Sequence, residues 1–315
     1  MLAYRHAFHA GNHADVLKHL VLIQVLQYMN RKDKPYWMID THAGAGGYAL
    51  YDDAARKKAE YNQGIARLWT RADAPAAVAD YLALVREFNP PAPAARSERG
   101  GPPTSPLGHP KAGCAPSGGS ERSERGGPIF YPGSPAIAHR LLRPQDRLWL
   151  FELHPTDHRL LDSSFGAQRG VQVRCVDGFV ALRSLLPPQV RRGVVLLDPS
   201  YELKTDYAAL RAALTDALAR FAAGTYLVWY PVLQRRESHL LPQQLRRIAG
   251  AADWLDVRLQ VAAPDASGFG LLGSGMFAIN PPWTLHAALR TSLPWLTRAL
   301  AQYDGAHFLL EQQAR

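Results

Sequence analysis

The chain has 315 residues, is 47% hydrophobic and 20% charged, and carries a formal net charge of +9. This composition fits one large α/β domain with an insertion, or two domains. The positive charge favours polyanionic partners, although an excess of surface charge that keeps the protein soluble explains it equally well. Two cysteines exclude a disulfide framework or a cysteine-based zinc site, and the histidines show no metal-binding spacing, so we expect no metal. Without a signal-peptide core or a run of about 18 apolar residues, we expect a cytoplasmic protein with no membrane span.

The first predicted helix follows a polar, aromatic and histidine-rich segment, residues 1–11. Asn12 is typical of an N-cap, and Asp15 three positions later forms an imperfect capping box. Apolar residues then recur at helical spacing to about residue 29. Lys18 and His19 fall on this otherwise apolar helix, where such residues are more often boundary residues than ligands.

A glycine-rich turn follows the first predicted strand, residues 36–39. Its small residues let the backbone approach a ligand closely. Gly44, Gly46 and Ala49 match a relaxed dinucleotide-binding fingerprint. Asp40, however, lies four positions before Gly44, as in the D-x-x-x-G-x-G pattern of enzymes that use S-adenosyl-L-methionine (SAM). The region expected to hold a second strand of a dinucleotide-binding fold is also helical in pattern. Both features argue against a dinucleotide-binding site.

The next two segments interrupt the expected alternation of strands and helices. Residues 51–89 have an amphipathic helical pattern and are interpreted as an inserted helical subdomain. Residues 90–128 are rich in proline, glycine, serine and arginine, and the hexapeptide at 97–102 recurs at 123–128. This composition predicts a disordered insertion, with an arginine-bearing RNA tether as the alternative.

An acid follows each of four predicted strands. Asp40 ends the first strand, and Glu152 follows the strand at 148–151. Asp177 follows the strand at 171–175, and Asp198 follows the strand at 194–197. Parallel strands bring their carboxyl ends to one edge of the sheet, where α/β folds bind ligands. Four acids in series are the strongest indication of a site in this sequence.

The last of these acids begins the motif Asp198-Pro199-Ser200-Tyr201. The exocyclic amine of a nucleobase is a poor nucleophile because its lone pair is delocalised into the ring. The Asp198 carboxylate and the Pro199 carbonyl can accept its two N–H groups, and Tyr201 can stack on a flipped base. The motif is similar to the [DNS]-P-P-[YFW] motif of SAM-dependent amino methyltransferases, with Ser200 in place of the second proline. A strand ending in a turn with a core tyrosine explains these four residues equally well.

The remaining pattern predicts a helix over 204–221, strands near 226–230, 257–261 and 276–279, and a closing helix, with no further strand. Asn280-Pro281-Pro282-Trp283 matches the amino-methyltransferase motif more literally than residues 198–201 do. We do not assign it as catalytic, because it ends the last predicted strand, far from the glycine-rich turn in the expected strand order. A helix start with proline near its first position explains it.

Long segments of the sequence resemble the RlmJ family, bacterial enzymes that methylate N6 of an adenine in 23S ribosomal RNA. The N-terminal run from Tyr4 to His19 and the turn Asp40-Thr41-His42-Ala43-Gly44-Ala45-Gly46 are the most specific matches. The resemblance covers nearly the whole chain except about residues 90–128. It implies an α/β, Rossmann-like SAM-dependent methyltransferase domain formed by residues 1–50 and 129–315, carrying a small helical insertion.

The resemblance also implies roles for matched residues. Asp198, Pro199, Tyr201 and Tyr4 would be catalytic, and Tyr4, His6 and Lys18 would contact the substrate or support its site. A larger set would bind SAM, with Glu152 on the ribose and Asp177 near the adenine amine: His19, His42, Gly44, Ser134, Glu152, Asp177, Gly178 and Asp198. It further implies 23S ribosomal RNA as the partner of a monomeric enzyme, and Ser200 would leave the motif's turn less rigid.

Three other functions are compatible with parts of the sequence. The Gly44–Ala49 fingerprint alone suggests a nicotinamide oxidoreductase. The net charge and the arginine-bearing insertion suggest a non-catalytic RNA-binding module, which leaves the strand-end acids unexplained. A DNA adenine-N6 methyltransferase shares the motif, but the sequence shows no separate DNA-reading module.

Overall fold

The computed structural model describes residues 6–90, 127–265, 268 and 270–314. Its helices, which include short 3-10 turns at His6–Phe8 and Glu60–Gln63, are α1 (His13–Asn30), α2 (Asp53–Lys58), α3 (Ile65–Leu68), α4 (Ala76–Glu87), α5 (Ser134–Leu141), α6 (Pro155–Phe165), α7 (Gly178–Leu185), α8 (Lys204–Arg220), α9 (Arg236–Ala249) and α10 (Leu285–Leu300). Within these ranges no helix is long and apolar enough to cross a membrane.

The strands are β1 (Trp37–Asp40), β2 (Gly47–Ala49), β3 (Phe130–Pro132), β4 (Arg147–Phe151), β5 (Val171–Arg174), β6 (Gly193–Leu197), β7 (Thr225–Val232), β8 (Trp254–Gln260), β9 (Gly273–Ile279) and β10 (His307–Gln313). Eight of them form one sheet in the order β10-β8-β9-β7-β6-β1-β4-β5. Strands β5, β4, β1, β6 and β7 are parallel, whereas β9, β8 and β10 continue the sheet through antiparallel pairs. This is the predicted Rossmann-like architecture.

The strand order reverses beside β1, which positions the site. The chain runs from β1 to β4 and β5 on one side, and then returns to β6 and β7 on the other. A crevice forms at such a reversal, at the carboxyl ends of the parallel strands. The acids that follow β6, β1, β4 and β5 therefore belong to four adjacent strands and meet at that edge, as the sequence predicts.

Strand β6 shows why the sheet is covered by helices on both faces. All five of its residues are buried, as expected for a central parallel strand. Successive side chains of a strand point to opposite faces. Val194 and Leu196 join the hydrophobic cluster that contains α1. Val195 and Leu197 join the cluster that contains α8. Helix α1 is buried on nearly every side, and its buried residues include the polar His13, Asp15, Lys18 and His19.

The helical pattern of residues 51–89 corresponds to α2, α3 and α4. Helix α4 packs on α1 and α10, and its buried residues belong to the same hydrophobic cluster as α1. Helices α3 and α4 therefore share the core of the domain that contains the large sheet, and the division of residues 51–89 into a subdomain is an interpretation of the sequence. The insertion predicted at 90–128 lies almost entirely outside the described residues.

The expectation that no strand follows β9 and the closing helix is wrong. Strand β10 pairs antiparallel with β8 along its whole length and forms the edge of the sheet. Its sequence, His-Phe-Leu-Leu-Glu-Gln-Gln, is largely exposed or half-buried. Because an edge strand buries little apolar surface, it lacks the continuous apolar run that identifies a central strand.

Candidate functional site

A deep pocket opens at the carboxyl edge of β5, β4, β1 and β6. Most residues singled out from the sequence line it: His6, Lys18, His19, His42, Gly44, Ser134, Glu152, Asp177, Gly178, Asp198 and Pro199. Tyr201 does not line the pocket, and Tyr4 lies outside the described residues. The fold thus brings together side chains from α1, the turn after β1 and the ends of three further strands.

The glycine-rich turn after β1 forms one wall. Gly44 and Gly46 have φ angles of 60° and 83°, in the left-handed region that glycine adopts without strain. The turn is fixed to the next strand because the Gly44 N–H donates to Glu152 Oε2 at 2.8 Å. The second oxygen of Glu152 accepts from the His154 N–H at 2.7 Å. Each oxygen retains a lone pair, so the carboxylate is preoriented to accept hydroxyl donors.

Asp177 and Gly178 begin α7 on the far wall. Asp177 is the N-cap, and its Oδ1 accepts from the N–H groups of Phe179 and Val180 at 2.8 and 3.3 Å. Gly178 lies against the backbone of the β1 turn: an added Cβ would be 2.7 Å from the Thr41 Cα. Glycine at this position therefore allows the close approach between α7 and the turn that closes the wall.

Asp40 supports the pocket from below and does not line it. It is fully buried, and its oxygens accept from Ser134 Oγ at 2.6 Å and from the His42 N–H at 3.2 Å. Burial raises the pKa of Asp40 to about 6. Its hydrogen bonds tie α5 to the glycine-rich turn, so its role is to shape the site.

Two histidines present neutral imidazoles to the pocket. Burial lowers the pKa of His19 to about 3 and that of His42 to about 4. His19 Nδ1 lies 2.8 Å from the Tyr131 hydroxyl, whereas its buried Nε2 has no hydrogen-bond partner within the described part of the chain. This nitrogen belongs to a residue that lines the pocket and is available to hydrogen-bond a bound ligand.

Asp198 is joined to the N-terminal segment by a chain of polar side chains, which we call the polar chain: His6, Asp15, Lys18 and Asp198. Lys18 Nζ lies 2.7 Å from Asp198 Oδ2 and 2.8 Å from Asp15 Oδ1. His6 Nε2 lies 2.9 Å from Asp15 Oδ2. Lys18 is not a boundary residue of the helix, because its ammonium is buried between the carboxylates of Asp15 and Asp198.

Burial and charge oppose each other along the polar chain. Burial raises the pKa of Asp198, and the Lys18 ammonium counteracts this rise. Burial alone would lower the pKa of Lys18, but Asp15 and Asp198 outweigh it and hold that pKa above its usual value. Burial would likewise raise the pKa of Asp15, but His6 and Lys18 hold it well below its usual range. Lys18 therefore stays charged, and its ammonium limits the rise in the pKa of Asp198.

The prediction that Tyr201 stacks on a flipped base needs correction. Tyr201 adopts a φ of 54°, is 2% exposed and packs between Tyr207 and Trp229. Its hydroxyl donates to the Trp229 carbonyl at 2.6 Å. The ring lies beneath the pocket in the hydrophobic cluster of α8, and it anchors the turn that carries Asp198 and Pro199.

Sequence reasoning missed two residues next to Asp198. Asp15 was assigned only to helix capping, yet it binds Lys18 and His6. The Trp229 ring centroid lies 6.0 Å from Lys18 Nζ, a cation–π distance. Trp229 is on β7, beside the strand that ends at Asp198, so an aromatic residue near the carboxyl end of a predicted strand was the available signal.

The alternative motif at residues 280–283 lies at the opposite edge of the sheet. Strand β9 is antiparallel to β7, and its last residue, Ile279, pairs with Tyr226 at the amino end of β7. Asn280 Nδ2 donates to the carbonyls of Ala222 and Gly224, each at 2.7 Å. The amide therefore fastens two loops together, in agreement with the decision not to assign it a catalytic role.

The fold and the pocket define a Rossmann-like domain whose pocket, at the carboxyl edge of the parallel strands, is lined by Glu152, Asp177 and Asp198. The family model described as ribosomal RNA large subunit methyltransferase D, RlmJ, matches residues 33–104 and 122–310. The chain belongs to this methyltransferase family. The SAM methyl donor that family membership indicates fits the preoriented Glu152 carboxylate and the unpaired His19 nitrogen.

Individual relatives extend the likeness over nearly the full chain. A protein of Escherichia coli named ribosomal RNA large subunit methyltransferase J is 41% identical over 307 residues, or 98% of this chain and 97% of the relative. A Haemophilus influenzae protein of the same name is 40% identical over 300 residues, which is 95% of this chain and 94% of the relative. The crystal structure of a Legionella pneumophila protein is similar to this chain with a TM-score of 0.79 and 30% sequence identity. The match covers 98% of this chain and 99% of the Legionella chain.

Proposed function

We propose that this protein transfers the methyl group of SAM to the exocyclic N6 amine of an adenine in 23S ribosomal RNA, and that it acts as a cytoplasmic monomer. The observation that carries the proposal is the Asp198 carboxylate, 2.7 Å from the buried Lys18 ammonium, in one pocket with the residues suited to SAM. The names of the E. coli and H. influenzae relatives support large-subunit ribosomal RNA as the substrate.

The residues of the pocket divide into two groups by their chemistry. Glu152, fixed by two backbone N–H groups, would accept the ribose hydroxyls of SAM. His19, His42, Gly44, Ser134, Asp177 and Gly178 would complete that half of the site. Bound SAM supplies an electrophilic methyl group on a sulfonium. No metal or covalent enzyme intermediate is required for direct transfer.

Asp198 and Pro199 would perform the second task, which is to hold the target amine. The carboxylate and the Pro199 carbonyl would accept its N–H groups and localise the nitrogen lone pair, as positioned acceptors do in general acid–base catalysis. The amine nitrogen would lose a proton when it takes the methyl group, and Asp198 would accept that proton. Tyr4 and His6 would contact the flipped base from the N-terminal segment.

The test is nucleoside mass spectrometry after incubation of the protein and SAM with 23S ribosomal RNA from a strain that lacks this modification. N6-methyladenosine at one position is the expected product. Double-stranded DNA and 16S ribosomal RNA serve as control substrates. Methylation of DNA at a comparable rate, or methylation of another base atom, would contradict the proposal.

A further inference from the structure

Asp15 makes more contacts than a residue in the first turn of a helix requires. It is 1% exposed. One of its oxygens accepts from the Gly11 N–H and from His6 Nε2, each at 2.9 Å. The other lies 2.8 Å from Lys18 Nζ. A single carboxylate therefore holds the N-terminal segment and the ammonium that touches Asp198.

Helix capping does not account for this arrangement. Asn12 already caps α1, because its Oδ1 accepts from the N–H groups of Ala14 and Asp15 at 3.0 Å. A reciprocal capping box would direct the Asp15 side chain to the Asn12 N–H. That N–H instead donates to the His9 carbonyl at 3.1 Å. The charge of Asp15 is thus available for His6 and Lys18.

We infer that Asp15 is a positioning residue for methyl transfer, which rests on the proposed function. A lysine side chain is long and flexible, and a second carboxylate confines its ammonium to one place. Lys18 Nζ contacts one oxygen of Asp198, Oδ2, and one oxygen of Asp15. Within the described ranges no hydrogen bond reaches the other Asp198 oxygen, which would accept from the target amine. Through His6, the same carboxylate holds the N-terminal segment beside the pocket.

The central variant is Asp15→Asn, which has the same shape and can still accept from the Gly11 N–H. We expect kcat to fall about tenfold to hundredfold, since small misplacements of catalytic groups have effects of this size. The SAM dissociation constant, measured by calorimetry, should change less than about threefold, because Asp15 does not line the pocket. Asp15→Glu should recover part of the lost kcat.

Asp146→Asn is the matched control. Asp146 is 2% exposed, accepts from the N–H groups of Tyr36 and Arg143 and binds the Arg143 guanidinium, but it precedes β4 at the amino edge of the sheet. The Asp146→Asn variant should have a lower melting temperature than the wild type and an unchanged kcat at temperatures where it is folded. An equal loss of kcat in both variants, in proportion to their loss of stability, would reduce Asp15 to a structural role.

A double-mutant cycle with Lys18→Met identifies the route of the effect. If Asp15 acts through Lys18, the double variant should lose clearly less kcat than the product of the two single losses. Independent, multiplicative losses would overturn the inference, as would unchanged kcat in Asp15→Asn. An active wild type with an unaffected Asp15→Asn variant refutes only the positioning role. A wild type that does not methylate 23S ribosomal RNA refutes the proposed function, and the inference with it.

Discussion

Lys18 Nζ and Asp198 Oδ2 are 2.7 Å apart although the two residues are separated by 180 positions in the chain. The first helix supplies the ammonium and the end of β6 supplies the carboxylate. The ammonium opposes the rise in the Asp198 pKa that burial causes, because a nearby positive charge favours the ionised carboxylate. Under the proposed function, this contact prepares Asp198 to accept a proton from the target amine.

Lys18→Met should shift the pH dependence of methyl transfer. Burial raises the pKa of Asp198 and Lys18 opposes the rise, so removal of the ammonium raises that pKa further. Only ionised Asp198 accepts a proton, and the variant should lose kcat as pH falls through this higher pKa and regain it at more alkaline pH. Single-turnover rates from pH 6 to 9 measure the shift. Lys32→Met, at an exposed lysine, is the control. Parallel pH profiles in the variant and the wild type would contradict the proposed charge coupling.

Glu152→Gln should weaken SAM binding. An amide has one acceptor oxygen, and its NH₂ group would face the N–H of Gly44 or His154 instead of accepting from it. Loss of a charged hydrogen-bond acceptor predicts a dissociation constant about tenfold to hundredfold higher by calorimetry. Glu87→Gln, at an exposed residue paired with Arg140, should leave SAM affinity unchanged. Unaltered affinity in Glu152→Gln would remove this residue from the cofactor site.

Tyr201→Phe distinguishes an anchoring role from base stacking. The variant keeps the ring and loses the hydrogen bond to the Trp229 carbonyl, so the free energy of unfolding should fall by about 1 kcal/mol. If the ring stacked on the substrate, the variant would keep its stability and its activity. Denaturant unfolding and initial rates, measured on the same preparation, separate the two. A stability equal to that of the wild type would contradict the anchoring role.

Much of the site could be predicted because its signals are local. The acid at each strand end follows directly from a short apolar run, and parallel strands necessarily bring such ends to one edge. The direction of Tyr201 could not be predicted, since it depends on a positive φ and on a carbonyl of the neighbouring strand. The Lys18–Asp198 contact likewise depends on which strand lies over α1, which no local pattern contains. Strand β10 was missed because an edge strand has little apolar surface to reveal it.

The central claim is that Asp198 holds and deprotonates the target amine. The most direct measurement is methyl incorporation from labelled SAM into unmodified 23S ribosomal RNA by Asp198→Ala, with SAM affinity and melting temperature measured in parallel. The account predicts no detectable N6-methyladenosine in a folded protein that still binds SAM, and a trace of activity in Asp198→Asn, which keeps one carbonyl acceptor. Wild-type methyl incorporation by the folded Asp198→Ala variant would contradict the account.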